Sequence, residues 1–374
     1  MNHPALEIDY DPSDELKLRY ELLCQQQPQL RARDAARQLN VTEAELVASR
    51  ANDTTFHLLN RPQEILAALE NVGEILVITR NDAAVLEKKC ILKNMSSSTQ
   101  NGFLAAQYSN ESTDLRMLLN NWHYGFLVIE EQHIGRSRSL QFFDQNGQAV
   151  QKIYLTQNSH ELAFAKVVAQ FISPQQPTYL DLTGDKATQQ LSPEQNVQWH
   201  EVRKSWQEMQ SSHDFFQLLI GSNVTRQQAY DNVGSDLAYE IIPEALQQLF
   251  EHALKAEIKL TFAVGNMGCM QHHSGSINKL NEHGCWLNVL DDDSNLHVNT
   301  QHLSQAWVVR KPQNGYPVTT IELFDQNDRL TLQITAQREA GMPESTQWRE
   351  LVAQLQPRSL QMTALDVYDA AISA

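Results

Sequence analysis

Half of this chain says the same thing as the other half. Ser139-Leu-Gln-Phe-Phe-Asp-Gln-Asn-Gly147 alternates apolar residues and then turns, and Thr320-Ile-Glu-Leu-Phe-Asp-Gln-Asn-Asp328 does so again 181 residues later. Other pairs recur at nearly the same offset: Trp122 with Trp307, Asn81 with Asn266, and Asn40-Val-Thr42 with Asn223-Val-Thr225. Solenoid repeats run to about 20–50 residues, so a period of half the chain points to a duplicated domain instead. Two half-sized copies create a cleft or a sheet–sheet interface, and ligand sites favour such places. Whatever differs between the copies is then a candidate for function.

A length of 374 residues is enough for two domains of ordinary size, each with its own core. The formal net charge is −16, and no block of Lys and Arg offsets it. That disfavours nucleic acid, where neutralising phosphates carries much of the affinity. It leaves room for a local basic pocket that takes a small anion. No apolar run reaches the roughly 20 residues that span a bilayer, so no membrane insertion is expected. The first residues, Met-Asn-His-Pro-Ala-Leu-Glu, lack the basic and apolar regions of a signal peptide. Cys24, Cys90, Cys269 and Cys285 are far apart and form no C-x-x-C, which reads as free thiols in a reducing cytoplasm.

Along the chain, residues 13–70 read as helices. Ser13 caps a segment with Leu16, Tyr20 and Leu23 on one face, Thr42-Glu-Ala-Glu45 is a capping box, and Pro62 suits the first turn of a helix carrying Ile65, Leu66 and Leu69. From Glu74 to Leu155 the period switches to two, with Ile75–Thr79, Gly125–Ile129, Leu140–Phe142 and Val150–Tyr154 as strands and Asp144-Gln-Asn-Gly147 as a hairpin turn. A helix over about Glu161–Ile172 closes the half. The polar, proline-bearing stretch from Ser173 to Pro193 reads as a linker. The second half repeats the order: helices from Pro193 to Lys255, strands from Ile258 to Ile334, a last helix near Glu344–Leu355. Runs of helices followed by runs of strands predict an α+β fold, a tandem duplication of a unit with a large antiparallel sheet flanked by helices.

Two residues stand on one copy only. His213 lies in Ser211-Ser-His-Asp-Phe-Phe-Gln-Leu-Leu219, where a serine cap would put it in the first turn of a helix beside Phe215 and Phe216. It is either a solvated histidine or the ligand of a metal held in a flat apolar cofactor. Arg116 follows Asp114 among Leu115, Leu118 and Leu119, which read as core-facing; the second half offers Gln301 at the aligned position. It is either a surface arginine paired with Asp114 or a functional cation. Arg226, Lys311 and Arg338 are further cations of the second half. Cys269-Met-Gln-His-His273 lacks the second cluster that a zinc site needs, and Asp291-Asp-Asp293 reads as a polar hairpin tip rather than a calcium loop. No phosphate-binding loop and no nucleophile elbow occurs.

Taken together, several segments resemble the HemS-like family of cytoplasmic haem-utilisation proteins of Gram-negative bacteria, also called hemin-degrading or haem-transport factors. They are Arg31–Leu46, Glu64–Leu69, Asp114-Leu-Arg116, Ser139–Asp144, His213-Asp-Phe-Phe216, Asn223–Ala229, Ala306–Pro312 and Gln337-Arg338. The resemblance covers nearly the whole chain. It implies haem, iron protoporphyrin IX, in a cleft between the halves. Residues 1–180 would supply the distal side and residues 181–374 the proximal histidine and the propionate contacts. The family's iron ligand falls on His213 and its distal arginine, a catalytic residue, on Arg116. The polar and cationic residues near the propionates fall on Arg226, Lys311, Gln333 and Arg338. The chain departs from the family where a second haem site has been discussed, since Val85-Leu86-Glu87 has no histidine. It departs again at Thr335, which replaces a pocket tyrosine, and at Ala263.

The chemistry suits that assignment. A neutral imidazole is a normal haem ligand. An arginine ligates iron very poorly but is a permanent donor. Arg and Lys pair with carboxylates. The expected function is haem degradation by oxygenase-like ring opening that releases iron, with an electron donor or a haem importer as partner. The alternative is a non-enzymatic chaperone that delivers haem to a separate haem oxygenase. A duplicated regulatory protein without haem is a third class. Both haem readings use one pocket, so the sequence does not separate them.

Overall fold

The computed structural model describes residues 12–100, 102–110, 113–132, 135–182, 197–339, 341–355 and 357–358. The chain divides into two compact units. The first holds residues 1–78, 89–187 and 267–269; the second holds 79–88, 188–266 and 270–374.

The first unit opens with three helices, α1 (Pro12–Gln26), α2 (Ala32–Leu39) and α3 (Glu43–Ala48). The capping box of α3 is present: Thr42 Oγ1 accepts from the Glu45 amide and Glu45 returns a carboxylate to Thr42 N. Then come β1 (Thr55–His57), α4 (Pro62–Leu69) with proline at its start, and β2 (Gly73–Arg80). After β3 (Ala84–Ile91) follow β4 (Ser96–Gln100), β5 (Phe103–Asn110), β6 (Thr113–Leu118), β7 (Tyr124–Gln132), β8 (Gly135–Phe143), β9 (Ala149–Ser159) and α5 (Glu161–Phe171). Antiparallel ladders join β1-β7-β8-β9-β2 in that order, and β4-β5-β6. The first of these ladders is buried on both faces. Ala44, Val47 and Ala48 of α3 pack on Phe126, Val128 and Phe143 on one side, while α4 and α5 pack on Leu127, Leu140 and Ile153 on the other.

The second unit runs α6 (Trp199–Gln207), α7 (Ser212–Ser222), α8 (Arg226–Asn232), β10 (Ala238–Ile241), α9 (Ala245–Lys255), then β11 (Leu260–Gly265), β12 (Cys269–Gly275), β13 (Lys279–His283), β14 (Trp286–Leu290), β15 (Ser294–Asn299), β16 (Gln305–Gln313), β17 (Tyr316–Phe324), β18 (Leu330–Ala336) and α10 (Thr346–Ala353). Its ladders, again antiparallel, are β10-β16-β17-β18-β11-β12, and β15 between β14 and the Ala84–Lys88 part of β3. Helices α6, α7 and α8 cover Trp307, Val309 and Phe324; α9 and α10 cover Ala306, Val308, Ile321 and Leu323. The expected α+β class with large antiparallel sheets flanked by helices is what the chain forms.

The duplication reaches fine detail. Asp144 Oδ1 accepts from the amides of Asn146 and Gln148, and Asp325 Oδ1 from those of Asn327 and Arg329. A register irregularity falls at Phe142/Phe143 in one copy and at Leu323/Phe324 in the other. Gly147 takes φ +72° where its counterpart Asp328 takes φ +58°. Only glycine fits the first copy, because a Cβ there would lie 2.4 Å from Thr42 Oγ1.

Some sequence pairings shift. Trp122 precedes β7, whereas Trp307 lies inside β16, so the two are not equivalent; the ladders put Gln305 where Tyr124 stands. Arg116 pairs across to Gln107 on β5, and the corresponding place on β15 belongs to His297, paired with Asn288, rather than to Gln301. Leu115 and Leu119 are buried as expected, but Leu118 is exposed. The short strands β1 and β10 interrupt stretches that read as helical. Of the expected linker, residues 183–193 lie outside the described residues. Residues before them hold to the first unit: His57 N donates to Gln176 Oε1, and Tyr124 OH to Asp181 O.

Candidate functional site

Helix α7 is built to hold its first turn still. Ser211 is its cap, with Oγ accepting from the Asp214 amide, and Asp214 answers by accepting from Gln210 N at 2.8 Å, Ser211 N at 3.0 Å and Ser211 Oγ at 3.0 Å. Those donors, the Gln210 amide first and the Ser211 hydroxyl next, hold the Asp214 carboxyl below its ordinary range. His213 is thereby the second residue of the helix. Its imidazole is exposed and makes no hydrogen bond among the described residues. Phe216 and Ile220 follow at helical spacing on the same face, 49% and 73% exposed. Phe215 turns the other way and is buried, edge-on to Trp206 at 5.0 Å.

Asn223 ends α7 in the left-handed conformation, and a second capping box, Thr225 with Gln228, starts α8 at once. Arg226 is therefore the first residue of α8. A cation there opposes the positive end of the helix dipole, so something else must hold it. That partner is Glu322 of β17, a residue with no exposed surface. Glu322 Oε2 accepts from Arg226 at 3.2 Å and from the Tyr230 hydroxyl at 2.6 Å. Its Oε1 accepts from the Lys311 ammonium, from Gln333 Nε2 at 3.0 Å and from Thr320 Oγ1 at 3.3 Å. The two cations also lie over aromatic faces: Arg226 is 4.9 Å from the Phe215 centroid and 5.1 Å from that of Phe216, and Lys311 is 4.2 Å from Phe215.

This cluster holds two cations and one carboxylate. A buried surplus charge is costly, and the titration of its members reflects that. Burial alone would raise Glu322, but Lys311 and Arg226 overcome it and bring the carboxyl down to about 2. Burial lowers Lys311 to about 8, and Arg226 adds to the lowering against the pull of Glu322. The same positive field favours the anion and disfavours the second cation. An added carboxylate would relieve it.

The structure thus brings Arg226, Lys311 and Gln333 together and leaves Arg338 outside, where its guanidinium donates to Gln313 Oε1 and, at 3.1 Å, to Met342 O. In the first unit Arg116 is exposed on β6 and held by Asp114 at 3.3 and 3.4 Å. Leu86 is fully buried in the core of the second unit. Thr335 donates its hydroxyl to Ala336 O, and Ala263 is buried in β11 opposite Gln333. Asp291 and its neighbours form the tip between β14 and β15, and among the described residues no three His, Cys, Asp or Glu side chains could hold a metal ion. Sequence reasoning missed Glu322 and Tyr230. The available signal was an acid amid the apolar run Thr-Ile-Glu-Leu-Phe, at the place where the first copy carries Gln141.

A family model described as the haemin-degrading HemS.ChuX domain matches the chain twice, over residues 40–171 and 223–355. The hemin transport protein HmuS of Yersinia pestis is 37% identical over 324 residues, 87% of this chain and 92% of that protein. Among solved structures, the haem-binding protein PhuS of Pseudomonas aeruginosa in its holo form superposes with a TM-score of 0.88 at 34% identity, covering 93% of this chain and all of that one. ChuS of Escherichia coli O157:H7, described as a heme degrading enzyme, gives a TM-score of 0.83 at 35% identity, covering 92% of this chain and all of its own.

Proposed function

The chain belongs to the haemin-degrading HemS/ChuX family, and on that premise we propose that it is a cytoplasmic haem-binding protein that degrades imported haem by oxygenase-like ring opening and releases iron. One observation carries the reading. An unengaged imidazole, His213, heads a helix face that exposes Phe216 and Ile220, and a cluster with one surplus positive charge adjoins the Phe216 ring. That is the donor set of an amphipathic, dianionic, metal-bearing ring: a nitrogen for the metal, apolar surface for the macrocycle, cations for its carboxylates.

Haem is the substrate here, and its iron supplies the activation of the oxidant. His213 would ligate that iron through a lone pair that no protein donor occupies. Phe216 and Ile220 would cover the ring and exclude water. Arg226 and Lys311, with Gln333 as a neutral donor and Arg338 further out, would answer the propionates. Arg116 is the proposed catalytic donor. Its pair with Asp114 is exposed and worth little, so the guanidinium is free to be recruited without a large cost. An electron donor is the partner this chemistry requires.

A second reading, carriage to a separate oxygenase, has its own support. The Yersinia relatives are named hemin transport proteins, and Thr335 spends its hydroxyl on the backbone, which leaves one donor fewer for a carboxylate. One experiment tests the site and separates the two readings. Hemin is added to the protein and to His213→Ala, and ascorbate is then added in air with catalase present. Binding that is sharp in the wild type and weakened at least about tenfold in the variant supports the site. Decay of the Soret band supports degradation, and a stable band supports carriage. Unchanged affinity and spectrum in His213→Ala would sink the site.

A further inference from the structure

The two copies place different charges on the same framework. In the first, Glu43 begins α3 and pairs at 2.5 Å with Lys152 on β9, which lies across from Gln141 on β8. In the second, Arg226 begins α8 and pairs with Glu322 on β17, which lies across from Gln333 on β18. Gln141 and Glu322 therefore hold one position in the fold. Their neighbours agree: Gln141 reaches Ser139, and Glu322 accepts from Thr320, two residues back on the same strand. Gln141 is 2% exposed and the first unit folds around it. The position does not need a carboxylate for its own sake.

Glu322 must then answer to its five donors. Arg226 rests on the Phe215 and Phe216 rings and donates to the Tyr230 hydroxyl at 3.3 Å, and Lys311 rests on the Phe215 and Tyr230 rings, but rings do not aim a cation and Tyr230 is itself held by Glu322. The carboxylate is the one point at which both cations, Tyr230 and Gln333 converge. We infer that Glu322 is the positioning residue of the carboxylate-binding cluster: it aims Arg226 and Lys311 and reduces their joint charge from two to one, so that the cluster selects a single ligand carboxylate. This rests on the reading that the cluster meets the carboxylates of haem. Removing Glu322 leaves two buried cations repelling each other. Lys311, already depressed to about 8, would lose its proton more readily, and Arg226 would lose its aim.

The test compares hemin with its dimethyl ester, which keeps the iron and the ring but has no carboxylate. Both are titrated in the same dilute detergent into the full-length wild type, Glu322→Gln and Glu322→Asp. The wild type should prefer hemin by at least about tenfold, the worth of one charge-assisted hydrogen bond. Glu322→Gln should bring that preference under about threefold while ester affinity stays near the wild-type value. Glu322→Asp keeps the charge but withdraws the carboxylate by one methylene, so its preference should fall between the two. Should Glu322→Gln fail to fold, the aspartate variant decides alone. A wild-type preference retained in Glu322→Asp overturns the inference, as does equal weakening of both ligands in either variant. A wild type that does not distinguish hemin from the ester overturns the carboxylate reading itself, and the inference with it.

Discussion

Arg116 and Lys311 are cations in opposite circumstances. Arg116 is exposed, cannot lose its proton in a protein, and is held by a weak surface pair. Its removal should leave most of the affinity, since only its aliphatic stem can cover apolar surface. If it donates during turnover, Arg116→Ala should slow ascorbate-driven loss of the Soret band by about a hundredfold, the usual size for one lost donor. Arg116→Lys should recover only part, because a point charge on a flexible stem replaces a planar fork. Equal decay rates in the three proteins would take Arg116 out of the chemistry. Lys311 is buried, and its folded-state value near 8 lies below the ordinary 10.5. Between those values the unfolded chain binds the extra proton, so Lys311 contributes stability that rises with pH across that window, while Tyr20, Tyr108 and Tyr230, which burial raises above 10, pull the other way above pH 10. Glu322, depressed from 4.5 to about 2, contributes stability that is present above 4.5 and lost as pH falls toward 2. Urea midpoints measured from pH 7 to 10, below the range where the tyrosines ionise, should show the upward slope in the wild type. Lys311→Met should lack it, and a slope of the same size in that variant would refute the assignment.

At the scale of elements, the pair α7–α8 converts local sequence rules into a site. Two capping boxes and one left-handed asparagine fix where both helices start, and with them His213 and Arg226. Ser211→Ala should cost about 1 kcal/mol of stability, the usual worth of a cap. It should also weaken hemin binding several-fold, because the frayed turn is the one that carries His213. Hemin affinity unchanged at a lowered denaturation midpoint would separate the cap from the ligand. The caps at Thr42 and Ser211, the Asp144 turn and the period-two strands were legible because each is set by residues near in sequence, whereas Ser13, expected to cap α1, lies inside that helix. Glu322 was not. Alternation in Thr320-Ile-Glu-Leu-Phe324 reads as one dry face and one wet face, yet α9 and α10 cover Ile321 and Leu323 while α6 to α8 cover Phe324. A strand covered on both faces hides its polar face from a pattern argument, and only the packed helices show that the acid is inside. The same limit applies to β1 and β10. At three and four residues they are too short for a period to register within helical surroundings. Arg226, Lys311 and Gln333 were drawn together by family resemblance; nothing in their spacing, 85 and 22 residues apart, announces a shared carboxylate.

For the whole molecule, duplication followed by exchange of charge predicts that a chain with two copies holds one haem. The copies keep their turns, their irregularities and the capping box of α3 and α8, but not their polar interiors. The first pairs Glu43 with Lys152, and the second sets Arg226 and Lys311 against Glu322. The closure of the Glu43–Lys152 pair at 2.5 Å, with both side chains largely buried, leaves little for a carboxylate to approach. Where His213 heads α7 in the second copy, no histidine heads α2 in the first, whose N-cap is Arg31. Leu86 is sealed in a hydrophobic core and has no atom to offer iron. Titration should therefore saturate at about one hemin per chain. The discriminating variant is the double change Glu43→Gln with Lys152→Met, which removes both charges of the first copy at once. Replacing a buried pair by neutral groups is often near neutral for stability, so the protein should fold, and its hemin affinity and stoichiometry should match the wild type. Loss of binding in that variant, or a second equivalent of similar affinity that survives His213→Ala, would mean that the first copy also takes haem and that its charges were exchanged for another purpose.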